Sequence, residues 1–305
     1  MIQDSDFLSS APCIINPRSA SHKWQRDIRL RHYLQSRLKG PPARPTRSKE
    51  ESIRRAVELS KTNDFLVIIG GDGTISDVIQ GIIQAGTNDR VRLGIIALGS
   101  GNAFQWSLGI PKRAKNALRL LTEGRVKSID VIRVNGRIGS FINIGGTAEC
   151  GYTAHKNFAP GILGHFLSIW PNLFHARHKV EVDLYDGLED GGQPFAHKSM
   201  RLKMVDCIVT KTRYFGYGWR IAPYAVVDDG YLDITFYEMS APLYVSLGVF
   251  IYLGLLQRSL RHFKAKRMVI QGRKLPVQYN GEDLPYQDRL ELEVMPKAIK
   301  IVVPD

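Results

Sequence analysis

The first third of the chain alternates short apolar runs with longer segments of mixed polarity. Residues 65–69 (FLVII) and 93–97 (LGIIA) carry no polar side chain, a pattern typical of strands that are covered on both faces. A further short strand is predicted at 12–16. Helices are predicted between these runs, over 22–38, 49–61, 75–84 and 114–122. This alternation predicts an α/β domain with a parallel sheet.

After about residue 126 the pattern changes to short apolar runs, several with polar residues at alternate positions, separated by Gly, Asp and Asn. Such runs are typical of antiparallel strands. We therefore expect an α/β domain over 1–126 and a β-rich, sandwich-like domain over 127–305. A return of the last strand to the first domain is left open. A length of 305 residues fits two domains.

An uncharged stretch at 241–257 interrupts the β-rich part. It is shorter than the roughly 20 apolar residues that a membrane-spanning helix needs. We expect a buried or half-buried helix over 242–257, and a second inserted helix over 159–177. Whether the 241–257 stretch touches a bilayer stays open.

The chain is strongly basic, with a formal net charge of +13 and a pI near 9.7. One cluster lies within 18–61, which contains thirteen Lys and Arg residues but only four acidic ones. A second cluster follows the uncharged stretch and contains Arg258, Arg261, Lys264 and Lys266. Nucleic acid, an anionic membrane and phosphorylated ligands are all partners that such a charge favours. The second cluster fits either contact with a bilayer or a solvated basic helix end.

Cysteine usage and the N-terminus both bear on location. The odd count and wide spacing of Cys13, Cys150 and Cys207 argue against a disulfide framework and favour a reducing cytosol. The first residues lack the basic start and apolar run of a signal peptide. We expect a cytoplasmic protein, with peripheral attachment to the inner face of the membrane left open.

Two glycine-rich turns follow consecutive predicted strands. Residues 70–74 read GGDGT and residues 99–102 read GSGN. Glycines let a backbone approach a phosphate closely, and a following helix N-terminus offers free N–H groups. Neither turn is a Walker A loop or a Rossmann fingerprint. Asp72 adds a carboxylate, which implies a metal or a hydroxyl partner because a carboxylate repels bare phosphate.

Several motifs together resemble the catalytic domain of the diacylglycerol kinase and sphingosine kinase family of lipid kinases. They appear in family order between about residues 12 and 303. The motifs are Asn16-Pro17-Arg18-Ser19, IIGGDGTISDVIQGI, LGIIALGSGNAFQWSLGIP, Phe141-Ile142-Asn143-Ile144-Gly145, the segment from Ala222-Pro223-Tyr224-Ala225 to Asp228-Asp229-Gly230-Tyr231-Leu232-Asp233, and Gly281-Glu282.

The resemblance implies a two-domain fold with ATP in the cleft between the domains. It implies a transferase of phospholipid metabolism that uses ATP and Mg²⁺ to phosphorylate a lipid hydroxyl, such as that of diacylglycerol. The implied nucleotide-binding residues are Asn16, Thr46, Gly70, Gly71, Asp72, Gly73, Thr74, Ile75, Ser76, Asp77, Gly99, Ser100, Gly101 and Asn102. Asp229 and the backbone oxygens of Val226 and Tyr231 would hold magnesium. Glu282 would accept the proton of the lipid hydroxyl, and Asp72 is the second implied catalytic residue.

Asn280 departs from the family pattern, which has Asp-Gly-Glu where this chain has Asn-Gly-Glu. A neutral amide cannot take up a proton, so activity would be lowered or lost if the acid matters chemically. If the position only shapes the turn, Asn serves as well, because Asn-Gly favours tight turns. A catalytically silent nucleotide- or lipid-binding regulator is therefore one alternative, and an NAD kinase-like enzyme is another.

The expected partner is a lipid substrate at an anionic membrane surface. No nucleic-acid motif accompanies the charge, so we expect no nucleic-acid partner. Nothing in the sequence indicates a protein partner, an oligomeric state or which lipid is phosphorylated. We expect the lipid pocket among 154–177 and 241–257.

Overall fold

The computed structural model describes residues 8, 10–38, 46–157 and 177–305. The helix predicted over 159–177 and most of the expected lipid pocket at 154–177 lie outside these residues. The chain divides into two compact units. The first contains Met1–Val131, Gly216–Gly218 and Lys297–Asp305, and the second contains Ile132–Phe215 and Trp219–Pro296.

The sheet of the first unit is built from short, buried strands. β1 (Cys13–Ile15), β2 (Phe65–Gly70) and β3 (Arg92–Ala97) pair in parallel in that order. All six residues of β2 are buried, as expected of a strand covered on both faces. The last residues of the C-terminal strand β12 (Glu282–Val303) pair in parallel with β3 through Lys300 and Ile301. The end of the chain thus belongs to the first unit.

Six helices of the first unit lie within the described residues. They are α1 (Ser19–Arg26), α2 (Ile28–Arg37), α3 (Lys49–Thr62), α4 (Asp72–Gln84), α5 (Ala103–Ser107) and α6 (Ala114–Glu123). The single helix predicted over 22–38 is wrong, because the Asp27 side chain accepts a hydrogen bond from Leu30 N–H and starts a second helix. The helix predicted from residue 75 begins at Asp72, with Gly71 as its N-cap.

The second unit consists mainly of antiparallel strands. In chain order its elements are the end of β4 (Arg125–Val134), β5 (Arg137–Gly139), β6 (Phe141–Gly145), α7 (Gly146–Asn157), β7 (His178–Glu189), β8 (Pro194–Met204), β9 (Asp206–Thr210), β10 (Leu232–Tyr237), α8 (Ala241–Ser246), α9 (Gly248–Tyr252), β11 (Arg261–Tyr279) and the first part of β12. The first part of β11 pairs with β10 and its end pairs with β6. Because β9 pairs with both β10 and β6, these four strands close on themselves around a core of aliphatic side chains.

The uncharged stretch forms two short helices, α8 and α9, so the single helix predicted over 242–257 is wrong. Leu247 adopts φ −89° and ψ 0° between them, and Gly254 ends the segment with φ +72°. Tyr244 and Ile251 are buried, whereas six apolar side chains are exposed. We call those six the apolar ridge: Leu243, Val245, Val249, Phe250, Leu253 and Leu255. Within the described part of the chain, no helix is long and apolar enough to cross a membrane.

Candidate functional site

The two glycine-rich turns of the first unit touch each other. They follow β2 and β3, which are parallel neighbours, and Leu98 N–H donates to Gly70 O at 2.8 Å. A Cβ atom on Gly71 would lie 2.9 Å from Gly99 Cα, and one on Gly99 would lie 2.5 Å from Gly71 Cα. Real Cβ atoms do not approach backbone so closely, so this contact requires glycine at both positions.

Asp72 joins the turns through backbone hydrogen bonds. It is the first residue of α4 and is 8% exposed. Its Oδ2 accepts from Ala103 N–H at 2.9 Å and its Oδ1 from Phe104 N–H at 3.1 Å. Burial raises the pKa of Asp72, and the hydrogen bonds from Phe104, Ala103 and Asn102 partly oppose that shift. The partners of the carboxylate here are N–H groups at the start of α5.

Asn102 closes the second turn in a left-handed conformation with φ +54°. Its Nδ2 donates to Gly99 O at 2.7 Å. Its Oδ1 is buried and has no hydrogen-bond partner among the described residues. A buried, unpaired carbonyl oxygen is costly and is uncommon in folded proteins.

The other predicted residues lie around these turns. Asn16 Nδ2 donates to Thr74 Oγ1 at 3.0 Å, which ties the end of β1 to the first turn of α4. Thr46 is buried, its N–H donates to Ile15 O at 2.9 Å, and its Oγ1 accepts from Ser52 Oγ at 2.9 Å. Thr46 therefore supports the fold beside Asn16.

Exposure separates the predicted nucleotide-binding residues into two groups. Thr46, Gly70, Asp72, Thr74, Ile75, Ser76 and Asp77 are buried. Asp77 lies 3.4 Å from Lys49 Nζ. Ser100 is exposed, and Asn16, Gly71, Gly73, Gly99, Gly101 and Asn102 are half-buried. The accessible rim is thus mainly glycine backbone, which suits recognition of phosphate by main-chain N–H groups and a helix N-terminus.

The sequence analysis missed a third glycine segment in the first unit, Gly216–Gly218. A Cβ atom on Gly216 would lie 2.9 Å from Gly101 Cα, and Tyr217 N–H donates to Gly101 O at 2.9 Å. Gly218 packs against the Trp106 indole with φ +82°. The paired glycines of the sequence GYG were the available signal.

Glu282 lies at the turn that connects β11 and β12 in the second unit. Asn280 and Gly281 have φ values of +48° and +81°, so the sequence Asn-Gly forms the tight turn that was expected of it. Glu282 is half-buried, and its Oε2 accepts from Tyr279 Oη–H at 2.9 Å. The phenol of Tyr279 was not anticipated from the sequence.

Asn280 uses its side chain inside the protein. Its Oδ1 accepts from Ser140 N–H at 2.9 Å and from Ser140 Oγ at 3.3 Å, and its Nδ2 lies 3.5 Å from Ile138 O. Its backbone N–H donates to Phe141 O at 3.1 Å. The carboxamide therefore fixes the Asn-Gly turn against the start of β6.

Asp229, the implied magnesium ligand, is held between two lysines. Lys211 Nζ donates to Asp229 Oδ1 at 2.6 Å and to Tyr231 O at 2.5 Å. Lys264 Nζ donates to Asp229 Oδ2 at 2.5 Å. Burial by itself would raise the pKa of Asp229, but the hydrogen bonds and charges of both lysines lower it below its ordinary value.

These residues do not fit a magnesium ion at Val226, Asp229 and Tyr231. Two of the three implied ligands already bind the Lys211 ammonium, and a divalent cation placed beside them would lie next to two lysine charges. Across the described residues, no group of three or more His, Cys, Asp or Glu side chains could hold a metal ion. The magnesium ligand set implied by the resemblance stays a prediction, and the two lysine charges beside Asp229 weigh against it.

Two family models match the chain. Residues 10–134 match the diacylglycerol kinase catalytic domain, and residues 190–303 match the YegS C-terminal NAD kinase beta sandwich-like domain. These two parts of the chain are thus similar to a diacylglycerol kinase catalytic domain and to a YegS-type C-terminal domain. The glycine-rich turns and the Asp72 contacts lie inside the first match. Glu282 and the ion pairs of Asp229 with Lys211 and Lys264 lie inside the second.

Two individual relatives carry names that fit these likenesses. The chain is 32% identical over 196 residues to the protein named "Probable lipid kinase YegS-like" of Klebsiella pneumoniae, and this match covers 64% of the chain and 63% of that protein. The matched region thus spans less than two thirds of that relative. A protein of the same name from Shewanella frigidimarina is 26% identical over 256 residues, or 78% of the chain and 76% of that protein.

The fold also matches a solved structure. A structure described as a diacylglycerol kinase from Bacillus anthracis superposes with a TM-score of 0.70 at 22% identity and covers 97% of both chains. This likeness supports the two-domain fold with a β-rich C-terminal part.

Proposed function

We propose that the protein is a lipid kinase that transfers the γ-phosphoryl group of ATP to the hydroxyl of a lipid such as diacylglycerol. The observation that carries the proposal is the pair of touching glycine-rich turns inside the matched diacylglycerol kinase catalytic domain. Their accessible backbone and the N-terminus of α4 suit the phosphates of a nucleotide.

In the proposed reaction the lipid hydroxyl attacks the γ-phosphorus of ATP. A new P–O bond to the lipid forms, the bond to the β-phosphate oxygen breaks, and ADP leaves. The hydroxyl proton passes to the Glu282 carboxylate, which Tyr279 holds in place. Magnesium that arrives with ATP would neutralise part of the phosphate charge in this reaction.

The contacts of Asn280 favour an active enzyme over a silent regulator. Its Oδ1 is used to accept hydrogen bonds from Ser140 N–H and Oγ–H, which an Asp at this position could also accept. The change from Asp to Asn therefore leaves the turn and Glu282 in place.

We propose further that the apolar ridge, which lies on α8, α9 and the turn after them, enters the surface of a bilayer to reach the lipid. Leu255 is 66% exposed and Val249 is 61% exposed, which is unfavourable in water and favourable at the boundary of headgroups and acyl chains. The basic cluster that follows the ridge in the sequence contributes less to membrane contact than the sequence indicated. Arg261 pairs with Glu238 at 3.0 Å, and Lys264 pairs with Asp229, while Lys266 is exposed.

The function is tested by incubating purified protein with labelled ATP, Mg²⁺ and mixed micelles that contain diacylglycerol, with NAD in the same tube. We expect label in the phosphorylated lipid and none in NADP. Labelled NADP would establish the NAD kinase alternative, and ATP binding without any labelled product would establish the silent regulator.

A further inference from the structure

Lys211 is almost fully buried, with 1% of its side chain exposed. Lysines are rarely buried to this extent unless they are paired. Its backbone N–H donates to Ser140 O at 2.8 Å, and its ammonium contacts Asp229 Oδ1 and Tyr231 O. Lys211 is thus held at the end of β9 by both its main chain and its ammonium group.

A second lysine lies beside the same loop. Lys264 Nζ lies 2.5 Å from Asp229 Oδ2 and 3.1 Å from Asp233 Oδ1. His262 Nε2 lies 3.4 Å from the same Asp233 oxygen. Both oxygens of Asp229 thus contact a lysine ammonium, and the two lysine charges would repel a divalent cation placed at Asp229.

The main chain of residue 211, as distinct from its ammonium group, is linked by hydrogen bonds to the turn that carries Glu282. Lys211 N–H donates to Ser140 O, Ser140 N–H donates to Asn280 Oδ1, and Asn280 N–H donates to Phe141 O. The hydrogen bonds pass from the end of β9 to the start of β6 and then to the β11–β12 turn. Glu282 follows two residues after Asn280, and all of these residues belong to the second unit.

We propose that Lys211 is a built-in cation that takes the place of a metal ion in the 226–231 loop and fixes that loop to the end of β9 without any metal. The lysine binds one carboxylate oxygen and one backbone oxygen, which are the donor types that a hard cation would use. Lys211 is a positioning residue in this proposal. The inference rests on hydrogen bonds within the second unit and does not depend on the proposed function.

The first test measures metal binding in the absence of nucleotide. Wild type and Asp229→Asn are titrated with Mn²⁺ and followed by electron paramagnetic resonance, and their thermal midpoints are recorded with EDTA, Mg²⁺ or Ca²⁺. We expect both proteins to bind the same number of Mn²⁺ ions and the wild-type midpoint to be unchanged by EDTA. An ion bound by wild type and lost in Asp229→Asn, or a midpoint that EDTA lowers and Mg²⁺ restores, would overturn the proposal.

The second test measures hydrogen exchange in the 226–231 loop of Lys211→Met, with Lys266→Met as the control because Lys266 is an exposed lysine of the same unit. Tyr231 N–H donates to Asp229 Oδ1 at 3.2 Å, so we expect at least tenfold faster exchange of the Tyr231 amide in Lys211→Met, and wild-type exchange in the control. Wild-type protection of the Tyr231 amide in Lys211→Met would contradict the positioning role. Should this variant fail to fold, the Mn²⁺ titration of wild type decides alone. Neither readout requires kinase activity, so failure of this inference is distinct from failure of the proposed function.

Discussion

At the scale of single residues, Asp72 shows how one side chain can organise a binding turn. Its carboxylate receives the N–H groups of Ala103 and Phe104, so it holds the two glycine-rich turns together from inside. From sequence, a carboxylate in a phosphate-binding turn suggested a metal or hydroxyl partner. The backbone partners could not be foreseen, because they depend on how closely Gly71 and Gly99 pack.

Asp72→Ala should therefore impair both stability and turnover. The change leaves two buried N–H groups without an acceptor, and each costs about 1–3 kcal/mol of unfolding free energy. It also loosens the turn that would bind the phosphates, so we expect turnover to be abolished. Urea denaturation and the kinase assay check both effects. Asp89→Ala, a change at an exposed aspartate of the same unit, should behave as wild type. Normal turnover in Asp72→Ala would refute the site.

Glu282→Gln should lower kcat far more than it raises the KM for ATP. Loss of a general base typically costs about 10²–10⁴-fold in rate, while nothing in the nucleotide turns changes. Steady-state kinetics with the exposed Glu58→Gln as control measure the difference. If Glu282→Gln keeps wild-type kcat, another group accepts the proton.

Asn280→Asp should change activity by less than about threefold, because an Asp side chain can still accept the hydrogen bonds from Ser140. Asn280→Ala should instead destabilise the protein by about 1–3 kcal/mol, since Ser140 N–H loses its buried acceptor. A large gain of activity in Asn280→Asp would show that the missing acid matters chemically and that the natural chain is nearly silent.

Asp206 makes stability depend on pH. Burial raises its pKa to about 7, although Thr147, Tyr244 and the Cys207 N–H donate hydrogen bonds to it. Because the folded pKa lies above the unfolded value, the folded state binds the proton more tightly. The stabilisation is full below about pH 4 and is lost as the pH rises to about 7. Chemical denaturation should show that wild type loses unfolding free energy relative to Asp206→Asn as the pH rises from about 4 to about 7. A wild-type-minus-variant difference that stays constant over this range would contradict the shift.

At the scale of elements, the sequence predicts strands and helix cores better than helix breaks. The apolar run of β2 and the glycine turn after it are evident from residue types alone. The break at Asp27 and the division of 242–257 into α8 and α9 are not, because each depends on one local choice of backbone. Exposure of the apolar ridge was also unpredictable, since it depends on which face packs against Val205, Ile208 and Ile221.

The apolar ridge should control binding to membranes. Replacing Phe250 and Leu253 with Ser removes two apolar side chains that are 50% and 48% exposed. Each would contribute about half of the roughly 1.5–3 kcal/mol that full burial of such a side chain yields. We expect at least a tenfold weaker association with anionic vesicles in a sedimentation assay. Ile28→Ser, at an exposed apolar residue of the first unit, is the matched control. Equal vesicle binding by the double variant and wild type would show that the ridge does not contribute to membrane binding.

At the scale of the whole molecule, the pattern of apolar runs predicted an α/β part followed by a β-rich part, and the family comparisons confirm that description. The glycine turns could be placed from sequence because strand order brings them to one edge. The surroundings of Asp229 could not, since Lys211 and Lys264 reach it from two different strand segments. Long-range ion pairs of this kind leave little signal in a single sequence.

Part of the positive charge that gives the net +13 is paired with acidic side chains, which the sequence did not indicate. Some of the basic residues near 258–267 neutralise acidic partners of the same unit, such as Arg267 with Glu291. We therefore expect vesicle binding to depend more on apolar contact than on charge.

The most direct test of the account is phosphoryl transfer to a total lipid extract. Wild type and Glu282→Gln are each incubated with Mg²⁺ and with ATP labelled at either the γ- or the α-phosphate, and the lipids are separated. The account predicts a labelled lipid only with wild type and γ-labelled ATP. No labelled lipid with wild type, or equal labelling by Glu282→Gln, would contradict it.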